Sequence, residues 1–301
     1  MSYRTVKRKL DRVYAHAPVL SFDSGSKLVI MSDCHRGQGN AGDNFLANQA
    51  VCFGALEYYF NGGFTYIELG DGDELWENRK LKTIVEVHDD IFWMLSRFYK
   101  KKRLYMVYGN HDIVKRDKNY MNRHCGHYYC DCDRANQPLL PEITVEEGLV
   151  FRNSENGKEL FMVHGYQGDF LNDTLWPLAR FLVRYVWRHM ELIGFLDPTG
   201  AGRPRKAKER VEKRLADYSS DRKQILIAGH THRPAFSKPE EGFYFNSGSC
   251  VHPRCITCIE IEHNIISLVK WSVRSGEDRI LRVEREVLEG PADLAEYCQM
   301  S

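Results

Sequence analysis

The sequence predicts an α/β protein of two mixed β-sheets packed face to face with helices outside them. Three observations carry this. Apolar runs alternate with helical stretches through the first part of the chain, and after residue 232 strand-like runs at 243–246, 255–262, 265–272 and 279–287 follow one another. In addition, five short polar segments each close an apolar run.

Taken in order, residues 2–16 read as a short basic amphipathic helix, followed by the strand Lys27-Leu28-Val29-Ile30-Met31 and then Asp33-Cys34-His35. A helix over 44–61 ends at Gly62-Gly63, and the strand 64–69 runs into Gly70-Asp71-Gly72-Asp73-Glu74. The helix 84–102 finishes in Lys100-Lys101-Lys102, where cations suit the negative end of a helix. Strand 103–108 precedes Gly109-Asn110-His111-Asp112, strand 160–163 precedes His164-Gly165, and strand 224–229 precedes His230-Thr231-His232. These runs are short, rich in β-branched and aromatic residues, and bounded by polar residues and glycine, so each reads as a buried strand feeding a loop.

The polar segments supply seven hard or borderline ligands: Asp33, His35, Asp71, Asn110, His164, His230 and His232. That is enough for two divalent ions sharing one carboxylate. A pair about 3.5 to 4 Å apart suits hydrolysis at phosphorus, because it acidifies a shared water and neutralises the phosphoryl oxygens. Imidazole combined with Asp and Asn oxygen selects Mn first, with Fe, Zn or Co as alternatives, over Ca. A single loop histidine is ordinarily a solvated or satisfied side chain. Five such segments, each at a strand end where α/β sheets bind ligands, point instead to one site.

The order DxH, GDxxE, GNHD, HG, GHTH resembles the calcineurin-like metallophosphoesterases, over residues 28 to about 250. The resemblance implies a four-layer αββα sandwich of the two mixed sheets. It also implies that Asp33, His35, Asp71 and His232 hold one ion and that Asp71, Asn110, His164 and His230 hold the other, with a hydroxide bridging them as the attacking group. His111 would protonate the leaving oxygen or stabilise the transition state, oriented by Glu74.

Composition limits the partners. A net charge of +1, with 28% charged and 43% hydrophobic residues, is ordinary for a soluble globular protein and argues against a long nucleic acid as substrate. The charged start of the chain lacks the apolar core of a signal peptide, which leads to the expectation of a cytoplasmic protein. Nine cysteines fit reduced thiols better than a disulfide framework. Cys125, Cys130 and Cys132 lie near His124 and His127 without a clean CxxC pair, so a polar surface loop is preferred there over a structural zinc.

We expect one domain over 1–301 with a helical insert at 174–219. Within it, 174–196 reads as a helix with an arginine stripe, Arg180, Arg184 and Arg188, opposite a broad apolar face. Three arginines exclude an ordinary membrane span. The face is left to packing on the domain or on a second subunit of a homodimer, to a lid over an amphipathic substrate, or to peripheral membrane contact. Arg203 to Arg214 holds seven Lys or Arg against two Glu, a solvated face or a phosphate-attracting rim. The insert, Gly70 to Trp76 and Gly229 to Pro234 are similar to the UDP-2,3-diacylglucosamine hydrolases, although that branch carries Arg where this chain has His111. Arg36 and Arg233 flank ligands and are candidates for binding substrate phosphate, with structural salt bridges as the alternative. Asp43 and Asn44 are expected at the same cleft. The leading function is a phosphohydrolase acting on a small phosphorylated substrate, a monoester, diester or pyrophosphate. A protein phosphatase is disfavoured because no DRG follows Gly70 to Glu74, and a non-catalytic metal-binding interaction module is the alternative from another class.

Overall fold

The computed structural model describes residues 2–130, 134–169 and 205–298. The expected helix 174–196, its arginine stripe and Cys132 lie outside them. The chain runs through α1 (Tyr3–His16), β1 (Val19–Phe22), β2 (Lys27–Met31), α2 (Gln49–Asn61), β3 (Thr65–Leu69), α3 (Leu81–Val87), α4 (Asp89–Lys100) and β4 (Leu104–Val107). Next come α5 (Lys118–Cys125), β5 (His127–Cys130), β6 (Ala135–Pro138), β7 (Val145–Glu146), β8 (Gly148–Asn153) and β9 (Glu159–Val163). After the undescribed stretch follow α6 (Arg205–Arg222), β10 (Ile225–Ala228), β11 (Ala235–Phe236), β12 (Tyr244–Asn246), β13 (Cys255–Glu262), β14 (Ile265–Ser275) and β15 (Leu281–Asp293).

Two mixed sheets result. One has seven strands in the order β15-β14-β13-β2-β3-β4-β7, the other six in the order β1-β8-β9-β10-β12-β11, and β5-β6 is a separate hairpin. Strands β2, β3 and β4 are parallel neighbours because the connections through α2 and through α3 and α4 are long enough for crossovers. Their two-residue period loads both faces. Leu28 and Ile30 join Ile67, Val107, Met162, Ile227 and Phe245 between the sheets. Val29 and Met31 instead pack with Leu56, Tyr59, Phe92 and Leu95 from α2 and α4. A third cluster joins Val6 and Leu10 of α1 and Val211 and Leu215 of α6 to Phe161, Val163 and Leu226. Helix, sheet, sheet, helix is therefore the layer order, and each fully buried Leu or Ile contributes ~1.5–3 kcal/mol to holding it.

Three expectations need correction. The helix expected at 84–102 is two helices, broken at His88 (φ −110°, ψ 40°), a buried ring that contacts Asp43 Oδ2 and Gln49 Oε1 at 2.9 Å each. Asp43 consequently turns into that contact, accepting also from Gly39 N–H, and does not face a cleft, while Asn44 is exposed. Helix α2 begins at Gln49 rather than 44, after a short turn at Leu46–Asn48. From Arg205 on, the expected insert is α6, which buries Val211, Leu215 and Tyr218 in the outer helical layer. Among the described residues no helix is long and apolar enough to cross a membrane.

Candidate metal centre

The parallel strands deliver their loops to one place. Asp33 and His35 follow β2, Asp71 follows β3, and Asn110 and His111 follow β4; from the other sheet, His164 follows β9, and His230 and His232 follow β10. The crevice lies at the carboxyl ends of strands from both sheets, where such folds bind ligands. Turning there is costly. Asp33 (φ 53°), His35 (47°), Asp71 (50°), His230 (69°) and His232 (55°) all hold left-handed backbones, which side chains with a Cβ adopt at roughly 1–3 kcal/mol each and which cluster at functional sites.

Each carboxylate is anchored by one oxygen and presents the other. Asp71 Oδ1 accepts from His111 N–H at 2.7 Å, while Oδ2 lies 3.0 Å from His164 Nε2 and 3.9 Å from His35 Nε2. Asp33 Oδ2 accepts from Ser32 Oγ and, at 2.9 Å, from His230 N–H. Its Oδ1 has no hydrogen-bond partner and lies 3.2 Å from His232 Nε2 and 3.8 Å from His35 Nε2. Asn110 is fully buried, with neither side-chain atom hydrogen-bonded.

The far side of each ring fixes where its lone pair points. His164 Nδ1 donates to Leu69 O at 2.9 Å and His35 Nδ1 to Glu74 Oε2 at 2.9 Å, which turns both Nε2 atoms inward. His230 Nε2 contacts Asp169 Oδ2 at 3.2 Å, leaving Nδ1 for the crevice, and His232 Nδ1 meets Ser249 Oγ at 3.3 Å. As a result His35 Nε2 and His232 Nε2 face one another at 3.2 Å. Three clusters of donors converge: Asp33, His35 and His232; His35, Asp71 and His111; and Asp71, His164 and His230. Buried Asp33 Oδ1, Asn110 Oδ1 and His164 Nε2 have no hydrogen-bond partner, and they stand among imidazole and carboxylate groups crowded against one another, a donor set that suits divalent cations, so the residues fit two ions.

His111 sits beside this set. Its Nδ1 lies 2.9 Å from Glu74 Oε1 and 2.7 Å from Oε2, so Glu74 touches both His111 and His35. Burial pushes the Glu74 carboxyl up, but His111 and His35 outweigh it and hold it down at about 2. Burial also lowers His111, yet Glu74 and Asp71 raise it above its ordinary value. Trp76 stacks on the His111 ring with centroids 4.2 Å apart at 20°, and its Nε1 donates to Asn110 O at 2.6 Å. Sequence reasoning did not single out Trp76 as a support for His111, and it missed Asp169 altogether. The one signal was position, since Trp76 is two residues beyond Glu74 and Asp169 five beyond His164.

Arg36 does not reach the crevice. It is fully buried, its forked guanidinium pairing with Glu68 at 2.8 and 2.9 Å and its Nε with Asp73 at 2.7 Å. Its expected contact with substrate phosphate is corrected to a structural one, because every donor direction used points into the helix-covered face of the sheet. We therefore expect Arg36→Ala to lower stability by ~3–5 kcal/mol, the cost of stranding buried carboxylates, measured by chemical denaturation. A raised KM at unchanged stability would contradict this. Arg233 is partly exposed and its Nη1 lies 3.2 Å from Glu212 and 3.6 Å from Glu209 on α6. Cys125 is buried, and among the described residues no metal cluster forms around it.

A family profile described as the calcineurin-like phosphoesterase superfamily domain matches residues 27–257. Among curated proteins, none matches the chain. Solved structures it resembles include Vps29 from Chaetomium thermophilum, at 10% identity and a TM-score of 0.36, over 89% of this chain and 97% of that one. Another is the 5'-nucleotidase from Candida albicans, at 13% identity and a TM-score of 0.30, over 90% of this chain and 52% of that one.

Proposed function

The chain belongs to the calcineurin-like phosphoesterase superfamily and is a metal-dependent phosphoester hydrolase, and from that premise we propose that it works with two ions on a small phosphate monoester, diester or pyrophosphate in the cytoplasm. Asp33, His35, Asp71 and His232 would hold one ion, and Asp71, Asn110, His164 and His230 the other, with Mn the first choice. When bound, the ions acidify the attacking water and neutralise the phosphoryl oxygens. The single observation that supports a shared ligand is Asp71 Oδ2, which faces His164 Nε2 and His35 Nε2 from between the two clusters.

The protein's own groups supply the rest. His111, with Nδ1 held by Glu74 and its ring face against Trp76, presents Nε2 as the one edge left to give a proton to the leaving oxygen. Glu74 and Asp71 beside the ring favour its protonated form, the form that can act as the acid. Glu74, held ionised, keeps that ring oriented.

Substrate class is tested by assaying Mn-loaded protein on an aryl phosphate, a cyclic diester and a nucleotide-sugar pyrophosphate. Hydrolysis of any is the expected result. Preference for the pyrophosphate would direct attention to the nucleotide-lipid reading, and two bound ions with no turnover of any substrate would favour the interaction module.

A further inference from the structure

Beneath the loops that carry the site runs a line of buried charges that the proposed chemistry does not use. It starts at Glu68 on β3, continues through Arg36 and Asp73, and ends at Lys115 and Asp112 beyond β4. Lys115 is 1% exposed, with Nζ 2.6 Å from Asp73 Oδ2, 2.8 Å from Asp112 Oδ2 and 3.6 Å from Glu68 Oε1. Asp112 in turn accepts two backbone N–H groups, Gly109 N at Oδ1 (2.7 Å) and Gly72 N at Oδ2 (3.0 Å).

Those two amides are not arbitrary. Gly72 follows Asp71 and Gly109 precedes Asn110, so one carboxylate ties the ligand loops of two neighbouring strands. The loops are also in close contact: a Cβ on Gly109 would stand 2.1 Å from Asp71 Oδ1 and 2.6 Å from Asp71 N. Moving either loop therefore moves the other's ligand. A buried ion pair seldom stabilises a fold more than apolar packing of the same volume would, so stability alone does not account for this one.

We infer that Lys115 is a positioning residue: through Asp112 it sets the spacing between the loop bearing Asp71 and the loop bearing Asn110 and His111, and so the geometry offered to the ion they share. This rests on the two-ion reading of the site. Groups that support metal ligands without touching the metal typically control about 10- to 100-fold in affinity or activity.

The test uses the full chain, Mn(II) titration by calorimetry, paramagnetic resonance of the loaded protein, and kcat and KM on an aryl phosphate, with thermal unfolding alongside. If wild type binds fewer than two ions, the two-ion reading fails and the role inferred for Lys115 fails with it. If it binds two, Lys115→Met is expected to lose about 10- to 100-fold in affinity for one ion, to lose the resonance signature of a coupled pair, and to lower kcat with KM little changed. Lys115→Arg should recover part of each. Asp112→Asn keeps the size but turns an N–H toward one of the two amides; it should shift ion affinity the same way, and it decides the matter if Lys115→Met does not fold. Wild-type affinity and coupling in folded variants whose melting temperature alone has dropped would make Lys115 a structural ion pair and overturn the inference.

Discussion

Chelation is expected to abolish turnover of an aryl phosphate, and added Mn to restore it. Asp71→Asn should reproduce most of that loss permanently, because its Oδ2 faces both histidine clusters while Oδ1 is occupied by His111 N–H. An amide offers one neutral oxygen where the carboxylate offers charge, so both ions weaken together. The fall in activity should exceed the roughly 10- to 100-fold typical of a group that merely supports a ligand. Ion counting by mass spectrometry of the native protein, together with the rate, checks this. Full activity in metal-free protein, or an Asp71→Asn variant that holds two ions as tightly as wild type, would remove the shared-carboxylate assignment.

The second large effect is at His111. Replacement by alanine should leave ion content unchanged and lower kcat by roughly 10²- to 10⁴-fold, the scale of acid catalysis by a positioned side chain. The loss should shrink for leaving groups that depart without a proton, such as nitrophenolate. Equal losses for good and poor leaving groups would assign His111 to charge stabilisation instead, and no loss would exclude it from the reaction. Because Glu74 contacts His35 as well, Glu74→Gln is a less clean probe of the same step.

The residues that converge in the crevice were readable because each stands directly after an apolar run whose strand character is unambiguous, as at Lys27–Met31 and Ile225–Ala228. The layers followed from the same runs, since Leu28 and Ile30 serve one face and Val29 and Met31 the other. What sequence could not supply was the direction of long side chains. Arg36 is as close to a ligand in sequence as any residue can be, yet its guanidinium turns to Glu68, a buried charge on a strand whose alternation gives no sign of a partner. His88 was equally opaque: nothing local breaks the helix, and the bend makes sense only with Asp43 and Gln49, 45 and 39 residues away. Asp169 and Trp76 support the histidines from loops, where no periodicity exists to announce them.

The donors of the crevice come from two different sheets: Asp33, His35, Asp71 and Asn110 from the seven-stranded one, His164, His230 and His232 from the six-stranded one. Any cation they share would thus clasp the two sheets together at the carboxyl ends of their strands. Ligation and folding become one equilibrium, in which free ion at a hundred times its dissociation constant would add ~2.7 kcal/mol to the folded state. The supply of divalent ion around the protein would then govern how long it survives heat or proteolysis, as well as how fast it works.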